Sequence, residues 1–149
     1  MKTNQKNVVS NIISILFIIL FTYTASSKLS NFKSYSHSMY NQPIDKTFIP
    51  YLIYGIPFFE IISVFFLLST TKRIMGFYLS EILMLAFTGY IVLGLNKYFG
   101  HIPCTCGGVI QSLSWTQHLY LNIFFDFIGI IGIITIRHKQ PYNVLAQSL

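Results

Sequence analysis

The sequence contains very little charge for its length. Only 9% of its 149 residues are Asp, Glu, Lys or Arg, and only four of these are acidic, whereas soluble domains carry roughly 25% charged residues. Hydrophobic residues make up 53% of the chain and the mean hydropathy is +0.58. So few charges cannot cover a globule of this size with polar surface, which excludes a soluble enzyme and a disordered chain. The composition predicts a single-domain, multi-pass membrane protein.

Cysteine is also scarce. Cys104 and Cys106 are the only two in the sequence, so no disulfide can join distant elements, and a disulfide-rich secreted domain is excluded. A bond between these two cysteines would close a very short loop, and the resulting strain would make it easy to reduce.

Basic residues outnumber acidic ones, giving a net charge of +6, but they form no cluster and no helix face. We therefore expect no nucleic-acid partner, and we interpret the Lys and Arg residues as markers of membrane topology.

Four apolar stretches are long enough to cross a lipid bilayer. A transmembrane helix needs about 20 mostly apolar residues, and the stretches cover residues 8–25, 48–69, 74–95 and 118–136. The predicted fold is all-α, a polytopic four-helix membrane bundle with outer loops at 26–47 and 96–117. The first span shares features with a cleaved signal peptide, but its apolar run is long for one, so we expect it to be retained.

The first outer loop contains a second pattern. Leu29, Phe32, either Tyr35 or Ser36, and Met39 recur at helical spacing, which predicts a short amphipathic helix at the membrane interface, ending near residues 41–43.

The distribution of Lys and Arg predicts the orientation. With four spans, both termini and the 70–73 turn share one side, which has six basic residues in short segments, against four in the longer loops of the other side. The positive-inside rule then places both termini in the cytoplasm, and both outer loops on the periplasmic side of the inner (plasma) membrane. The six are Lys2, Lys6, Lys72, Arg73, Arg137 and Lys139, and the four are Lys28, Lys33, Lys46 and Lys97.

The second outer loop contains the most distinctive motif, His101-Ile-Pro-Cys104-Thr-Cys106-Gly-Gly. Two thiols one residue apart, in a loop that faces an oxidising compartment, favour thiol–disulfide exchange, in which Cys104 and Cys106 would be the catalytic pair. Two alternatives stay open: Cu(I) or zinc binding with His101, and a disulfide that only shapes the loop.

Three of the four acidic residues lie inside predicted spans: Glu60, Glu81 and Asp126. No predicted span interior contains a basic partner for them, and a rise of about 1.5 Å per residue puts all three at similar depth. Asn11 and Ser14 of the first span could approach the same layer. One interpretation is a polar pocket for protons or a quinone headgroup; the other is hydrogen bonding between helices.

Several segments together resemble the DoxX-like, MauE-type family of small four-helix membrane proteins, and most of all its redox-associated branch, which is abundant in Bacteroidetes. The matching segments, in order along residues 27 to about 125, are Ser27-Lys28-Leu29, Pro57-Phe-Phe-Glu60, Gly76-Phe-Tyr-Leu-Ser80, Phe87-Thr88-Gly-Tyr90-Ile91, Ile102-Pro-Cys-Thr-Cys-Gly-Gly-Val109, Trp115-Thr-Gln-His118 and Asn122.

The resemblance implies a four-helix bundle with an external redox pair, Cys104 and Cys106, and a thioredoxin-like extracytoplasmic partner. MauE proteins belong to methylamine utilisation, where they are thought to assist maturation of a disulfide-rich dehydrogenase subunit. The main hypothesis is therefore a thiol–disulfide oxidoreductase component. The alternative is a non-enzymatic accessory or assembly subunit, with the same cysteines binding Cu(I) or another soft metal; a transporter has less support. A homodimer and a quinone cofactor remain open.

Overall fold

The computed structural model describes residues 2–96 and 114–137. These residues form five α-helices and no strand. The helices are α1 (Lys2–Ser30), α2 (Phe32–Tyr40), α3 (Ile49–Leu68), α4 (Arg73–Leu95) and α5 (Trp115–Arg137).

Four of these helices are long and apolar enough to cross a membrane, with candidate spans of 24, 20, 23 and 22 residues in α1, α3, α4 and α5. The prediction of an all-α, polytopic bundle is confirmed, and the chain is a multi-pass membrane protein.

The four long helices close into a ring. α1 packs against α3 and α5, and α4 packs against the same two helices. Phe17 of α1 is fully buried at the centre of the ring, with its ring centroid 5.9 Å from Phe21, 6.2 Å from Phe77 and 5.3 Å from Phe125. Because two of these neighbours come from α4 and α5, α1 is a structural member of the bundle core.

α1 is longer than the span predicted from the sequence. The helix continues through Ser30, so residues 26–30, which we expected in the outer loop, extend its C-terminal end by more than one turn. Lys28 therefore belongs to a helix, and its side chain is buried.

α2 confirms the predicted short helix after the first span. Its residues Tyr35 and Met39 are buried against Ile49 and Ile53 of α3, so its apolar face packs on the bundle. The helix therefore lies at the N-terminal end of α3, on the side where α1 ends.

The connection from α2 to α3 is fixed by hydrogen bonds. The Tyr90 hydroxyl of α4 donates to Gln42 Oε1, and Asp45 Oδ1 accepts a bond of 2.9 Å from the backbone N–H of Thr47. The Thr47 backbone and side-chain bonds hold the pKa of the exposed Asp45 carboxyl below its usual value. The end of α4 and the start of α3 therefore lie at the same end of the bundle as α2.

At the opposite end, α3 and α4 approach closely. A Cβ added at Gly76 would lie 2.7 Å from the backbone nitrogen of Leu67, so only glycine fits there without moving a helix.

Candidate functional site

The three membrane-embedded acids occupy two separate places in the bundle. Glu60 is 1% exposed, Glu81 7% and Asp126 9%, so all three are buried. Glu60 contacts a lysine from α1, whereas Glu81 of α4 and Asp126 of α5 interact electrostatically with each other.

Glu60 forms a buried ion pair with Lys28. The Lys28 Nζ lies 2.6 Å from Glu60 Oε1 and 5.8 Å from the ring centroid of Phe87. Thr24, one turn before Lys28 on α1, places its hydroxyl beside the same carboxyl group. Side chains on a helix tilt toward its N-terminus, so a lysine near the outer end of α1 reaches back into the bundle.

This ion pair corrects one expectation. We expected no basic partner for the acids, and for Glu60 this is wrong because Lys28 was assigned to the outer loop. The available signal was that Lys28 follows the apolar run directly, where a helix can continue. Burial of Lys28 also leaves three basic residues in the outer loops, Lys33, Lys46 and Lys97.

Glu81 and Asp126 meet at the contact between α4 and α5. A Cβ at Gly129, one turn after Asp126, would overlap Glu81 Oε2, so the Glu81 carboxyl group rests on the backbone of α5. The Thr88 hydroxyl of α4 donates a bond of 2.7 Å to Asp126 Oδ2. Neither oxygen of Glu81, nor Asp126 Oδ1, has a hydrogen-bond partner among the residues that the structure describes.

The two polar residues of α1 that could approach the acids have other hydrogen-bond partners. Asn11 Oδ1 accepts a bond of 2.5 Å from Arg73 at the start of α4, and Ser14 donates to the carbonyl of Ser10 in its own helix. Neither side chain is hydrogen-bonded to the acids.

The start of α5 carries a feature that the sequence analysis missed. The backbone N–H of Ser114 donates to Gln117 Oε1 at 2.8 Å, and the N–H of Gln117 is 3.3 Å from Ser114 Oγ. This is a capping box, and its Ser-x-x-Gln spacing is the signal in the sequence that could have revealed it. It fixes the point where the second outer loop joins the bundle.

The cysteine motif lies in that loop. Cys104, Cys106 and His101 are outside the described residues, so their expected redox or metal-binding roles stay predictions. Within residues 2–96 and 114–137, no group of three or more His, Cys, Asp or Glu side chains could hold a metal ion.

Comparison with known proteins shows which family the chain belongs to. The chain matches the family model for methylamine utilisation protein MauE over residues 6–135. No curated protein and no solved structure matches it. The match includes Cys104, Cys106 and nearly the full length of all four membrane helices. The chain therefore belongs to the MauE family.

Proposed function

We propose that this MauE-family membrane protein is a thiol–disulfide redox component of the DoxX-like, redox-associated type, with Cys104 and Cys106 as its reactive pair. One observation supports this most: the Cys-x-Cys pair lies inside the matched region 6–135, in the segment that joins α4 to α5.

The proposed reaction is a balanced exchange. A thiolate of one protein attacks the disulfide of the other, forms a mixed disulfide and releases the first leaving thiolate. The second thiolate of the attacking protein then attacks its own first sulfur in the mixed disulfide. This forms a disulfide in the attacking protein and releases the other protein as a dithiol, so two electrons and two protons pass between the proteins in total. The natural partner class is an extracytoplasmic thioredoxin-like protein. A membrane quinone, which accepts two electrons and two protons, is the oxidant class required if the pair is reoxidised within the membrane.

The proposal includes an orientation. With both termini in the cytoplasm, the α4–α5 segment faces the periplasmic side of the inner membrane, where disulfides persist. Burial of Lys28 in the bundle lowers the positive charge of the outer loops, which favours this orientation under the positive-inside rule. Methylamine utilisation, from which the family takes its description, is the first process to test.

The test is the redox state of the pair in living cells. Cells are quenched with acid and alkylated with a mass-tagging maleimide, and wild type is compared with Cys104→Ser, Cys106→Ser and the double variant. We expect a mixture of oxidised and reduced protein, and a mixed disulfide with a second protein in one single variant. Mass spectrometry of that adduct identifies the partner, and the double variant is the matched control that forms none.

Other outcomes separate the alternatives. Thiols that stay reduced, trap no partner and retain copper through purification would replace the redox proposal with metal binding. A pair that is always oxidised and unreactive would leave a structural role. An adduct between two copies of this chain would instead reveal a homodimer.

A further inference from the structure

Glu81 and Asp126 form a buried pair of carboxyl groups without a cation beside them in the described part of the chain. Both are at least nine-tenths buried, and three of their four oxygens have no hydrogen-bond partner among described residues. An unpartnered carboxyl oxygen inside a membrane is costly. The arrangement therefore requires an explanation.

The surrounding helices hold the two groups in place. Glu81 rests on the backbone at Gly129, where Phe17 of α1 also packs, because an added Cβ would lie 3.1 Å from the Phe17 ring. Thr88 holds Asp126 from the α4 side with its 2.7 Å hydrogen bond. Both carboxyl groups are thus held between α4 and α5, about one turn of α5 apart, in a largely apolar setting.

The charges of the neighbouring helices do not neutralise the pair. In the described interior, the basic side chain from α1 is Lys28, which is bound to Glu60 of α3 at 2.6 Å. The remaining titratable groups on the two helices of the pair are Arg73, Tyr78 and Tyr90 on α4 and His118, Tyr120 and Arg137 on α5. Arg73 donates to Asn11 and to the Leu67 carbonyl, and Arg137 lies over the Tyr78 ring. His118 lies about two turns from Asp126. Two adjacent carboxylates without a cation repel each other and lose hydration, so one of them is more stable when protonated.

We infer that Glu81 and Asp126 together form an intramembrane proton-binding site that holds one proton between two carboxyl groups. A proton on either group removes one of the two negative charges, and with it their repulsion and part of the cost of burying both carboxylates between apolar helices. The ligand is a proton rather than a metal cation, because α4 and α5 are continuous around the site and their backbone carbonyls are used within the helices. A hard cation needs about six oxygen ligands. This site does not depend on the proposed thiol chemistry.

A hydrophobic carbodiimide tests the inference directly. It reacts with a protonated carboxyl group: the acidic proton moves to a carbodiimide nitrogen, and the carboxyl oxygen bonds to the central carbon. Rearrangement then gives a stable N-acylurea with no leaving group, so the protein gains the mass of one reagent. The full chain is labelled in lipid nanodiscs with dicyclohexylcarbodiimide over a series of pH values, and the modified residue is located by peptide mass spectrometry.

We expect one adduct per chain at neutral pH, on Glu81 or Asp126, and a second adduct on the pair only in acid. Glu60 is the internal control: it is buried as deeply, but it has the Lys28 ammonium group 2.6 Å away, which favours its carboxylate form. We expect at least about tenfold less labelling at Glu60 than at the pair, equivalent to a difference of one pH unit in titration.

Two variants distinguish a shared proton from two separate ones. In Glu81→Gln, Asp126 loses its like-charged neighbour, so its labelling should move to lower pH. Asp126→Asn should shift the labelling of Glu81 in the same direction. Circular dichroism and size-exclusion chromatography check that each variant folds.

Three results would overturn the inference: two adducts on the wild-type pair at neutral pH, no adduct on the pair at any pH, or equal labelling of Glu60. Labelling of each acid that is unchanged when the other is substituted would also overturn it, because it would indicate independent protonation. If neither variant folds, the number of adducts on the wild type decides.

Discussion

The bundle buries acidic side chains in two places and neutralises them in two different ways. Glu60 lies 2.6 Å from the ammonium group of Lys28, whereas Glu81 and Asp126 have only each other and the Thr88 hydroxyl among the described residues. In the Lys28–Glu60 pair an opposite charge balances the carboxyl group. In the Glu81–Asp126 pair, the proton that we infer removes one of the two negative charges. Similar depth in a membrane therefore does not give two carboxyl groups the same ionisation state; their neighbours do.

The difference arises from where each helix face points. Glu60 faces the C-terminal part of α1, where the Lys28 side chain extends back into the bundle. Glu81 faces α5 at Gly129 and the aromatic ring of Phe17. Substitutions in the Lys28–Glu60 pair can therefore be compared with substitutions around the Glu81–Asp126 pair.

The largest effect is expected from Lys28→Met, which leaves Glu60 buried without its cation. Removing one partner of a buried ion pair typically costs about 3–5 kcal/mol. The free energy of unfolding, measured by steric trapping in bicelles, should fall by this order. In the same variant Glu60 should become protonated and react with the hydrophobic carbodiimide, as the Glu81–Asp126 pair does.

Two controls accompany this change. Lys33→Met removes an exposed lysine of α2 and should have little effect on stability. The double variant Lys28→Met/Glu60→Gln removes both charges and should recover much of the loss. If Lys28→Met unfolds like the wild type and leaves Glu60 unreactive, the ion pair does not set the ionisation of Glu60.

The second largest effect is expected at the contact between the Glu81 carboxyl group and the α5 backbone at Gly129. Gly129→Ala places a methyl group where Glu81 Oε2 lies, and overpacking a core costs typically 1–3 kcal/mol. Because the obstructing atom is at the end of a flexible side chain, we expect the low end of that range, about 1 kcal/mol. The displaced Glu81 should also show a changed labelling profile against pH.

Gly89→Ala is the matched control, since a Cβ there meets no atom within 4 Å. It lies in the same helix as Glu81 and should be neutral or slightly stabilising, because alanine favours the helix by up to about 1 kcal/mol. Equal effects of the two substitutions would show that the Gly129 contact does not position Glu81.

A smaller effect is expected from Thr88→Val, which keeps the shape and removes the donor to Asp126. Hydrogen bonds between membrane helices are worth about 0.6 kcal/mol on average. The unfolding free energy should decrease by that order, and Asp126 should be labelled up to a higher pH because its carboxylate loses a stabilising donor. Thr88→Ser retains the hydroxyl and should restore both values; a Ser variant that behaves like Val would contradict the assignment.

Much of the fold could be predicted from the sequence, because a bilayer imposes strong constraints on composition and segment length. The four apolar stretches and the Phe32–Met39 spacing were enough to predict the long helices and α2. The end of α1 at Ser30 could not be predicted, since polar residues after an apolar run can continue a helix when they bind residues of neighbouring helices. Lys28 was placed in a loop for that reason.

The arrangement of the acids was harder to predict. Counting residues gives the depth of a side chain in the membrane, but the direction it faces depends on how each helix is rotated in the bundle. Glu60 and Glu81 were therefore expected at similar depth, with a shared pocket as one of two interpretations, whereas one faces Lys28 of α1 and the other Gly129 of α5. The redox role of Cys104 and Cys106 stays a prediction, since these residues lie outside the described ranges.

The smallest effect is expected at the fourth acid, Asp45, which lies outside the membrane spans and extends the comparison to a carboxyl group in water. Thr47 donates its backbone N–H and its hydroxyl to Asp45, which lowers the pKa of the carboxyl group in the folded protein. A lowered pKa in the folded state stabilises the protein at pH values above the unfolded pKa of about 3.9, and this contribution is lost as the pH falls through the folded pKa.

The Thr47 amide resonance, followed by NMR against pH, should therefore titrate with a midpoint below that value, and Asp45→Asn should abolish the titration with little change in stability. A midpoint at or above the ordinary value would contradict the Thr47 bonds. If Asp45 titrates low, Glu60 stays unlabelled and the Glu81–Asp126 pair keeps a proton at neutral pH, the same functional group will be ionised in water, ionised beside Lys28 and protonated between helices, with its immediate partners as the cause in each case.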